Sequence, residues 1–568
     1  MWDGSSANWT SPTIWAVGNS AFFDALGANP SGLGTAVTLN SAITAHQIAV
    51  TGTNYIINGG SSTLALAGTT PTITSSASSN NFAVSIVGTE GLSFQGAGTT
   101  ALLGDSALAP NLGNTYTGGT YVRSGTLILG VGAFGGAALS SSSYAVDSIE
   151  AIDVGATVRE GNFNDGLDTS SSDKKVPNGQ IPISGPGSGL LAPHRLNLTG
   201  GTYDTYANDN NQQQPQPSGW GTIINTCPDA RGILKYTGYG ETTEFAGQIM
   251  DGGTTIARAN NGPGYQMNVD SQNGPSSSVL ILSGSNSFTG FIRIGNNATI
   301  QLKGSGTLGY PAPINCPGRQ VIMNNGVLDL NGTSQKTGVF WTKGDADGSP
   351  AARITNSAFG TLSTLTLCYN ATNLTVSTSS GSQGGISCSI KDDPTTGGTM
   401  GITKEGVAMQ VIGANDGTNS VKGTPVNDYH GDTVVNNGIL AMINSSAVSP
   451  NSAYRINATQ GKLRLDYSDT ANVRQLWISG VQQPNGVYGA GTPGIDPTST
   501  GTLTVTGADP TLVFSRSGNT LNLSWAGTGY KLVFATSVTG PWSDYPCGGT
   551  SPVAIAIGSG SKFFRLSK

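Results

Sequence analysis

The sequence predicts an all-β protein: a right-handed parallel β-helix (β-solenoid) followed by a small antiparallel β-sandwich. Three observations carry that reading. Charged residues make up 10 % of the chain, against about 25 % in an ordinary soluble protein, whereas Gly fills 83 of 568 positions, about twice its usual share. Apolar residues, 36 % of the total, alternate in short runs broken by Gly, Ser, Thr and Asn, which is strand and turn punctuation. Finally, the stretch Asn114-Thr-Tyr-Thr-Gly-Gly-Thr-Tyr-Val-Arg-Ser-Gly-Thr-Leu-Ile-Leu-Gly130 recurs, altered, from Asn286 to Gly304 and from Asn427 to Met442.

Residues 1–20 hold Trp2, Trp9 and Trp15. They read as an aromatic cap, since the end of a repetitive core needs covering; a sugar-stacking platform is the other reading. Residues 21–507 read as the solenoid. Runs such as Gln47-Ile-Ala-Val-Thr51 and Phe82-Ala-Val-Ser-Ile86 open it. In the first copy Thr120 and Val122 share one strand face, and Tyr121 and Arg123 the other, because side chains alternate with period two. Gly125 breaks the strand, and Leu127 and Leu129 point inward again. Thr433, Val435, Gly438, Leu440 and Met442 match in the third copy; Ile292, Ile294, Ile300 and Leu302 match in the second, with one more residue at the turn. A further rung follows each of these two copies, Gly326–Leu330 and Gly461–Leu465. The steps from Leu302 to Leu328 and from Met442 to Leu463 are 26 and 21 residues, the length of one solenoid coil. Ile249 and Ile390 each lie 37 residues before the leading Asn of a copy.

These copies, with Ser278-Val-Leu-Ile-Leu-Ser-Gly-Ser285 and Phe245-Ala-Gly-Gln-Ile249, resemble the autotransporter-associated β-strand repeat of large secreted bacterial surface proteins. The resemblance covers 90–505 and implies a passenger-type parallel β-helix. It leaves activity open, because function lives in sites rather than folds. The third copy departs from the motif, with His430 where Thr belongs. Nothing after Gly507 matches the alternating strands of about 9–11 residues that a membrane barrel needs, so another export machine is expected.

Residues 160–240 are polar and Pro-rich and read as a long excursion looped over the solenoid. Residues 508–568 hold five alternating runs, from Leu512-Val-Phe514 to Phe563-Phe-Arg-Leu566. They read as a β-sandwich module similar in style to fibronectin type III.

Candidate chemistry is sparse. His46, His194 and His430 have no His or Cys at ligand spacing, and no Gly-x-Ser-x-Gly occurs. Asp345-Ala-Asp347-Gly348 resembles the start of a calcium loop but lacks the closing acid; Asp165, Asp168 and Asp173 form another oxygen-rich stretch. Asp329, Asp392, Asp393, Asp428 and Asp432 show no one-rung offset that would stack them beside an Arg, as polysaccharide lyases of this fold require. No catalytic residue, metal or cofactor is therefore expected. Tyr203, Tyr206 and Trp220 read as pins for the excursion, with sugar stacking as the alternative. Among five cysteines, Cys368 and Cys388 are one coil apart, and strands stack about 4.8 Å apart, so a rung-to-rung disulfide is predicted.

A net charge of −6, a pI near 5.1 and no basic run longer than Lys174-Lys175 argue against nucleic acid. No apolar stretch is long enough for a membrane helix. Met1-Trp2-Asp3 opens on polar sequence, which reads as a mature chain without its leader. The expectation is a secreted or cell-surface structural protein without enzymatic activity: an adhesin, a sheath or an extracellular filament subunit that associates with itself. A polysaccharide-binding or polysaccharide-cleaving β-helix is the alternative. Leu127→Asp or Ile294→Asp would bury an unpaired charge, costing several kcal/mol; circular-dichroism melts of either variant should show local loss of sheet well below the wild-type transition.

Overall fold

The computed structural model describes residues 19–23, 36–52, 55–76, 80–102, 114, 116–129, 148–160, 195–205, 213–214, 216–226, 233–238, 240–252, 266–271, 277–288, 290, 292–295, 297–309, 320–324, 326–343, 353–368, 385–386, 388–413, 426–507, 510, 512–525, 530–546 and 548–567. The aromatic cap with Trp2, Trp9 and Trp15, the acids Asp165, Asp168, Asp173, Asp345 and Asp347, and His194, Tyr206, Cys227, Cys316 and Cys547 lie outside them.

Short strands stack in parallel register, one coil on the next, as the alternation requires. Val279, Thr299, Val327, Arg353 and Ser389 are partners in succession, so neighbouring rungs there are 20, 28, 26 and 36 residues apart. A second stack runs through Ile233–Gly238, Gln266–Ser271, Ile292–Gly295, Gln320–Asn324 and Val339–Lys343. A third runs from Gln335–Thr337 through Leu362–Leu367, Thr399–Lys404, Thr433–Val435 and Ala453–Ile456 to Gln475–Ile478. Among the described residues the only helical turn is Ser445–Ala447. The fold is therefore a parallel β-solenoid.

The inward stripe is as expected. Val122, Leu127, Leu129, Ile294, Ile300, Leu302, Val435, Leu440 and Met442 are fully buried, each contributing about 1.5–3 kcal/mol relative to exposure. Gly125 sits at φ +73°, and a Cβ there would meet the Gly96 carbonyl oxygen at 2.3 Å. Gly438 repeats this at φ +69°; in the longer turn of the second copy Asn297, at φ +62°, does the same.

The pairing register differs from the sequence reading. Leu328 stacks on Ile300 and Leu463 on Leu440, giving steps of 28 and 23 residues instead of 26 and 21. A two-residue slip keeps every side chain on its face, so the apolar pattern alone did not distinguish these registers.

The leading Asn of each copy is a bracket between rungs. Asn114 Oδ1 accepts from the Ile86 amide at 3.0 Å, Asn286 Oδ1 from Ile249 at 2.9 Å and Asn427 Oδ1 from Ile390 at 2.9 Å. On the other side Asn286 Nδ2 donates to the Thr307 carbonyl at 2.8 Å and Asn427 Nδ2 to that of Ala447 at 2.6 Å. The aromatic two residues on is buried in all three copies. Where it is Tyr, its hydroxyl meets a Thr four residues later: Tyr116 with Thr120 and Tyr429 with Thr433, both at 2.7 Å. In the second copy the same two positions are Phe288 and Ile292, an apolar pair.

Two expectations are corrected. The described parts of the expected 160–240 excursion do not loop over the solenoid: Leu196–Asp204 and Pro217–Asn225 pair with each other and carry the ladder from Thr157–Glu160 to Gln248–Asp251. Leu196, Leu198, Tyr203 and Ile223 fill the core, and Asp204 and Asn225 at the strand ends are buried as well. Cys368 and Cys388 are not joined. Cys368 follows Leu362–Leu367, whose neighbours are Gln335–Thr337 and Thr399–Lys404. Cys388 precedes Ser389–Ile390, which pairs with Arg353–Thr355 in another sheet. Twenty residues of chain carry it from one side of the coil to another.

At its C-terminal end the coil folds back on itself. Val481–Gln482 pairs antiparallel with Gln475–Ile478, and Gly486–Tyr488 antiparallel with Thr502–Val505. The last module has two three-stranded antiparallel sheets, Val513–Ser517/Thr520–Ser524/Val553–Ala556 and Ser543–Asp544/Lys531–Ala535/Phe563–Ser567. They share a core of Leu523, Trp525, Leu532, Val553 and Ile555, a small sandwich.

Asn427→Ala leaves a buried amide and a buried carbonyl unpaired, at about 1–3 kcal/mol each, and urea unfolding should report that loss. Tyr116→Phe alone should cost more than Tyr116→Phe with Thr120→Val, because the second change removes the orphaned hydroxyl, the solution already present at Phe288 and Ile292.

Candidate functional site

Among the described residues, two of the acids singled out from sequence, Asp329 and Asp393, serve the coil itself. Asp329 is buried and accepts from the amides of Asn331 and Ser357, the Ser357 hydroxyl and Gln301 Nε2, at 3.0, 2.9, 2.5 and 2.7 Å. Asp393 caps a turn: burial raises its pKa, but the Thr396 and Thr395 amides and the Thr396 hydroxyl together hold it below the ordinary value. Tyr203 is a core residue, fully buried. Trp220 is 55 % exposed and lies on Gly200, where a Cβ would be 2.5 Å from its ring. His46 Nδ1 lies 3.0 Å from the Ala67 carbonyl oxygen, joining two neighbouring rungs.

One outward face brings together groups that the sequence scattered. Asp392 and Asp428 stand on adjacent rungs, where the Asp392 amide donates to the Asp428 carbonyl at 3.2 Å. Asp392 Oδ2 meets His430 Nδ1 at 2.7 Å and accepts from the His430 amide at 3.1 Å, while its Oδ1 accepts from the Met400 amide at 2.7 Å. The imidazole is 61 % exposed. His430 is thus an exposed turn residue, as read from sequence, but its partner is the previous rung's Asp392. Asp428 Oδ1 instead accepts from Asn451 Nδ2 at 2.6 Å. Next to His430, Gly431 leaves room for Leu362, whose Cδ1 would be 2.7 Å from a Cβ there; Leu362 and Phe359 are both exposed.

Asp432 then pairs with Arg455 Nε and, at 3.8 Å, with Arg474 Nη2. The Arg455 guanidinium lies over the Trp477 ring, 4.7 Å from its centroid, because Arg455 and Trp477 are register partners. The acid with Arg beside it, Asp432, is not one of the two that stand on adjacent rungs, Asp392 and Asp428. The uneven rungs hid this grouping: Lys391 bridges to Asp428 across 37 residues, whereas Arg455 and Trp477 are 22 apart. Among the described residues no group of three or more His, Cys, Asp or Glu is placed to hold a metal. The face offers carboxylates, two guanidinium groups, an imidazole and an indole, which suits polar contact and ring stacking.

The chain is similar to an autotransporter adhesin. It is 34 % identical over 150 residues to the adhesin BmaC autotransporter of Brucella suis biovar 1 (strain 1330), across 25 % of this chain and 4 % of that protein. The chain thus spans a small fraction of the length of the curated relative that it matches. No family profile matches it, and no solved structure does.

Sequence reasoning also passed over Lys404. It is fully buried, and its ammonium donates to the carbonyls of Gly406 and, at 3.2 Å, Asn437. Burial pushes its pKa down to about 8 from 10.5. The signal was present in the register: Leu367 is paired with Lys404, so Lys404 occupies an inward position of the strand. Burial also pushes up the thiol pKa of nearby Cys368, as does the carboxylate of Glu405 beside it.

A depressed lysine pKa means that the folded state binds fewer protons than the unfolded chain between about 8 and 10.5. Stability therefore rises with pH across that window. Lys404→Met should abolish the increment. Urea midpoints of wild type and variant, followed through that window, should move apart in favour of the wild type; parallel curves would refute the assignment.

Proposed function

We propose that this chain is a surface-exposed, passenger-type segment of an adhesin, acting by passive contact. The observation that supports this most directly is its similarity to a named adhesin over 150 residues, in a chain whose rungs repeat one structural motif. The parallel stack supplies a rigid support, and its outward residues vary without disturbing the inward stripe. On this reading the Asp392–His430–Asp432–Arg455–Trp477 face is the contact surface. Its ligand is a carbohydrate polymer, which the indole and the forked guanidinium groups would engage through ring faces and hydroxyl or carboxylate groups. A secreted or cell-surface location follows from the same reading.

The sheath or filament version needs contacts between copies. Antiparallel return strands at Val481–Gln482 and Gly486–Tyr488 occupy the C-terminal end of the coil, so simple rung-on-rung stacking is disfavoured there. The second reading, a polysaccharide-cleaving β-helix, draws on the Asp432–Arg455 and Asp392–His430 pairs. A lyase assay with calcium on the ligands retained by the chain separates it from passive binding.

The test is a glycan array probed with the full chain and with Trp477→Ala and Arg455→Ala. Retention of a polysaccharide by wild type, with at least a tenfold loss in each variant, is the expected result, since aromatic and Arg anchors dominate such contacts. Binding unchanged in both variants would remove this face from the proposal. No binding to any surface glycan would remove the carbohydrate ligand.

A further inference from the structure

The first sheet of the C-terminal module ends on a strand with an open edge. Val513–Ser517 pairs on one side with Thr520–Ser524 and is the terminal strand of its sheet. All five of its residues are exposed, Phe514 at 73 % and Val513 at 57 %. Phe514 stands opposite Leu523, whose side chain is in the sandwich core, so Phe514 lies on the apolar side of the sheet beyond the reach of the second sheet. Soluble proteins blunt such edges or use them for pairing.

The register says which backbone groups are free. Ser517 faces Thr520 across the two-residue turn Gly518–Asn519, with Gly518 at φ +58°, as a tight hairpin requires. Hydrogen-bonded pairs alternate from that closing pair. Ser517, Ser515 and Val513 therefore spend their amides and carbonyls on the neighbouring strand, and Phe514 and Arg516 aim theirs at the open edge.

We propose that two copies of this chain pair through Val513–Ser517, antiparallel, about a two-fold axis at Ser515. In that register all five residues find partners, and Phe514 faces Arg516 of the partner subunit on both sides of the axis. The outward-aimed groups of Phe514 and Arg516 are those that a hydrogen-bonded pair exchanges. Each guanidinium meets a phenyl ring, a favourable cation–π pair, and no like charges stand opposite one another. A register centred on Arg516 would oppose two guanidinium groups; one centred on Phe514 would leave Ser517 unpaired. The contact is isologous and closes at two, so it joins a pair of modules and does not propagate into a fibre. It stands independently of the adhesin reading.

Sedimentation velocity of the full chain tests this between about 1 and about 300 µM, the range in which a contact of this size is populated. The expected result is a concentration-dependent doubling of mass. Phe514→Lys, which places like charges across the axis, and Arg516→Pro, which removes an outward N–H from an edge strand that tolerates Pro, should each be monomeric throughout. Phe514→Glu should remain dimeric and become salt-sensitive, because it places a carboxylate opposite Arg516 of the partner subunit. Near-ultraviolet circular dichroism of Trp525 verifies that the sandwich is intact in each variant. A wild type that stays monomeric at the highest concentration overturns the proposal, as does a dimer insensitive to Phe514→Lys and Arg516→Pro. Loss of the dimer in Phe514→Glu, or assembly that continues past two, overturns the register.

Discussion

A parallel coil built of short strands turns a corner every few residues, and at each corner backbone groups leave the ladder while still buried. Unpaired, each would cost about 1–3 kcal/mol, so the corners constrain the sequence more tightly than the strands do. A side-chain amide has both a donor and an acceptor and can stand in for the missing peptide. Asn114, Asn286 and Asn427 each accept from an Ile amide one coil earlier, and the latter two also donate to a carbonyl one coil later. Gln335 uses both functions on the earlier coil alone, accepting from the Leu308 amide and donating to the Gly306 carbonyl, and Asn356 accepts from Gly332 and donates to Thr361 and Thr399. An aspartate at Asn286, Asn427, Gln335 or Asn356 would lack the donor and bring a charge with it. The motif begins with Asn because the corner needs a peptide that the chain does not supply.

The same constraint explains why the rest of the motif varies in pairs. Tyr with Thr, or Phe with Ile, leaves no hydroxyl unpaired, whereas a mixed pair would. Gly118 and Gly431 vary in nothing, since a Cβ would meet the Gly91 amide nitrogen at 2.1 Å and the Met400 carbonyl oxygen at 2.2 Å. Neither position has room for a side chain, because the backbones of two rungs touch there.

Period two made the inward stripe legible from sequence, and the same period hid the register. Leu328 could be laid against Ile300 or Leu302 without moving any side chain off its face, and only the brackets between rungs decide. The strands Leu196–Asp204 and Pro217–Asn225 were misread because Asn, Gln and Pro dominate the composition around them, while their core residues Leu196, Leu198, Tyr203 and Ile223 are few. The outward face was not legible. It depends on rungs of unequal length, which bring Asp392 beside His430 across 38 residues and Arg455 over Trp477 across 22. Lys404 shows the same limit in reverse: a charge in the chain is assumed to face water until the register assigns it to the inside.

Outside that face, the outward residues are largely spent on the neighbouring rungs. Arg123, Asp153 and Thr199 form one chain of contacts, and Arg159, Asp204 and Thr226 another. Lys303, Glu244 and Ser283 form a third. Asp204 is buried; the exposed pairs, Arg123–Asp153 and Lys303–Glu244, contribute little alone, about 0–1 kcal/mol. Their effect lies in alternation. Parallel in-register stacking places side chains of neighbouring rungs about 4.8 Å apart, where like charges would repel along the whole column. Placing an acid between a base and a hydroxyl removes that repulsion: Lys303 and Ser283 hold the Glu244 carboxyl below its ordinary pKa. For Asp153, burial works in the opposite sense, but Thr199 and Arg123 together prevail. A low charge content is then a condition of the architecture, since each added charge needs a complement one coil away. The Asp392–Trp477 face departs from this economy. It gathers two guanidinium groups, an imidazole and several carboxylates within a few rungs, more charge than the local stack requires, and that excess makes it the part of the coil best suited to meet another molecule.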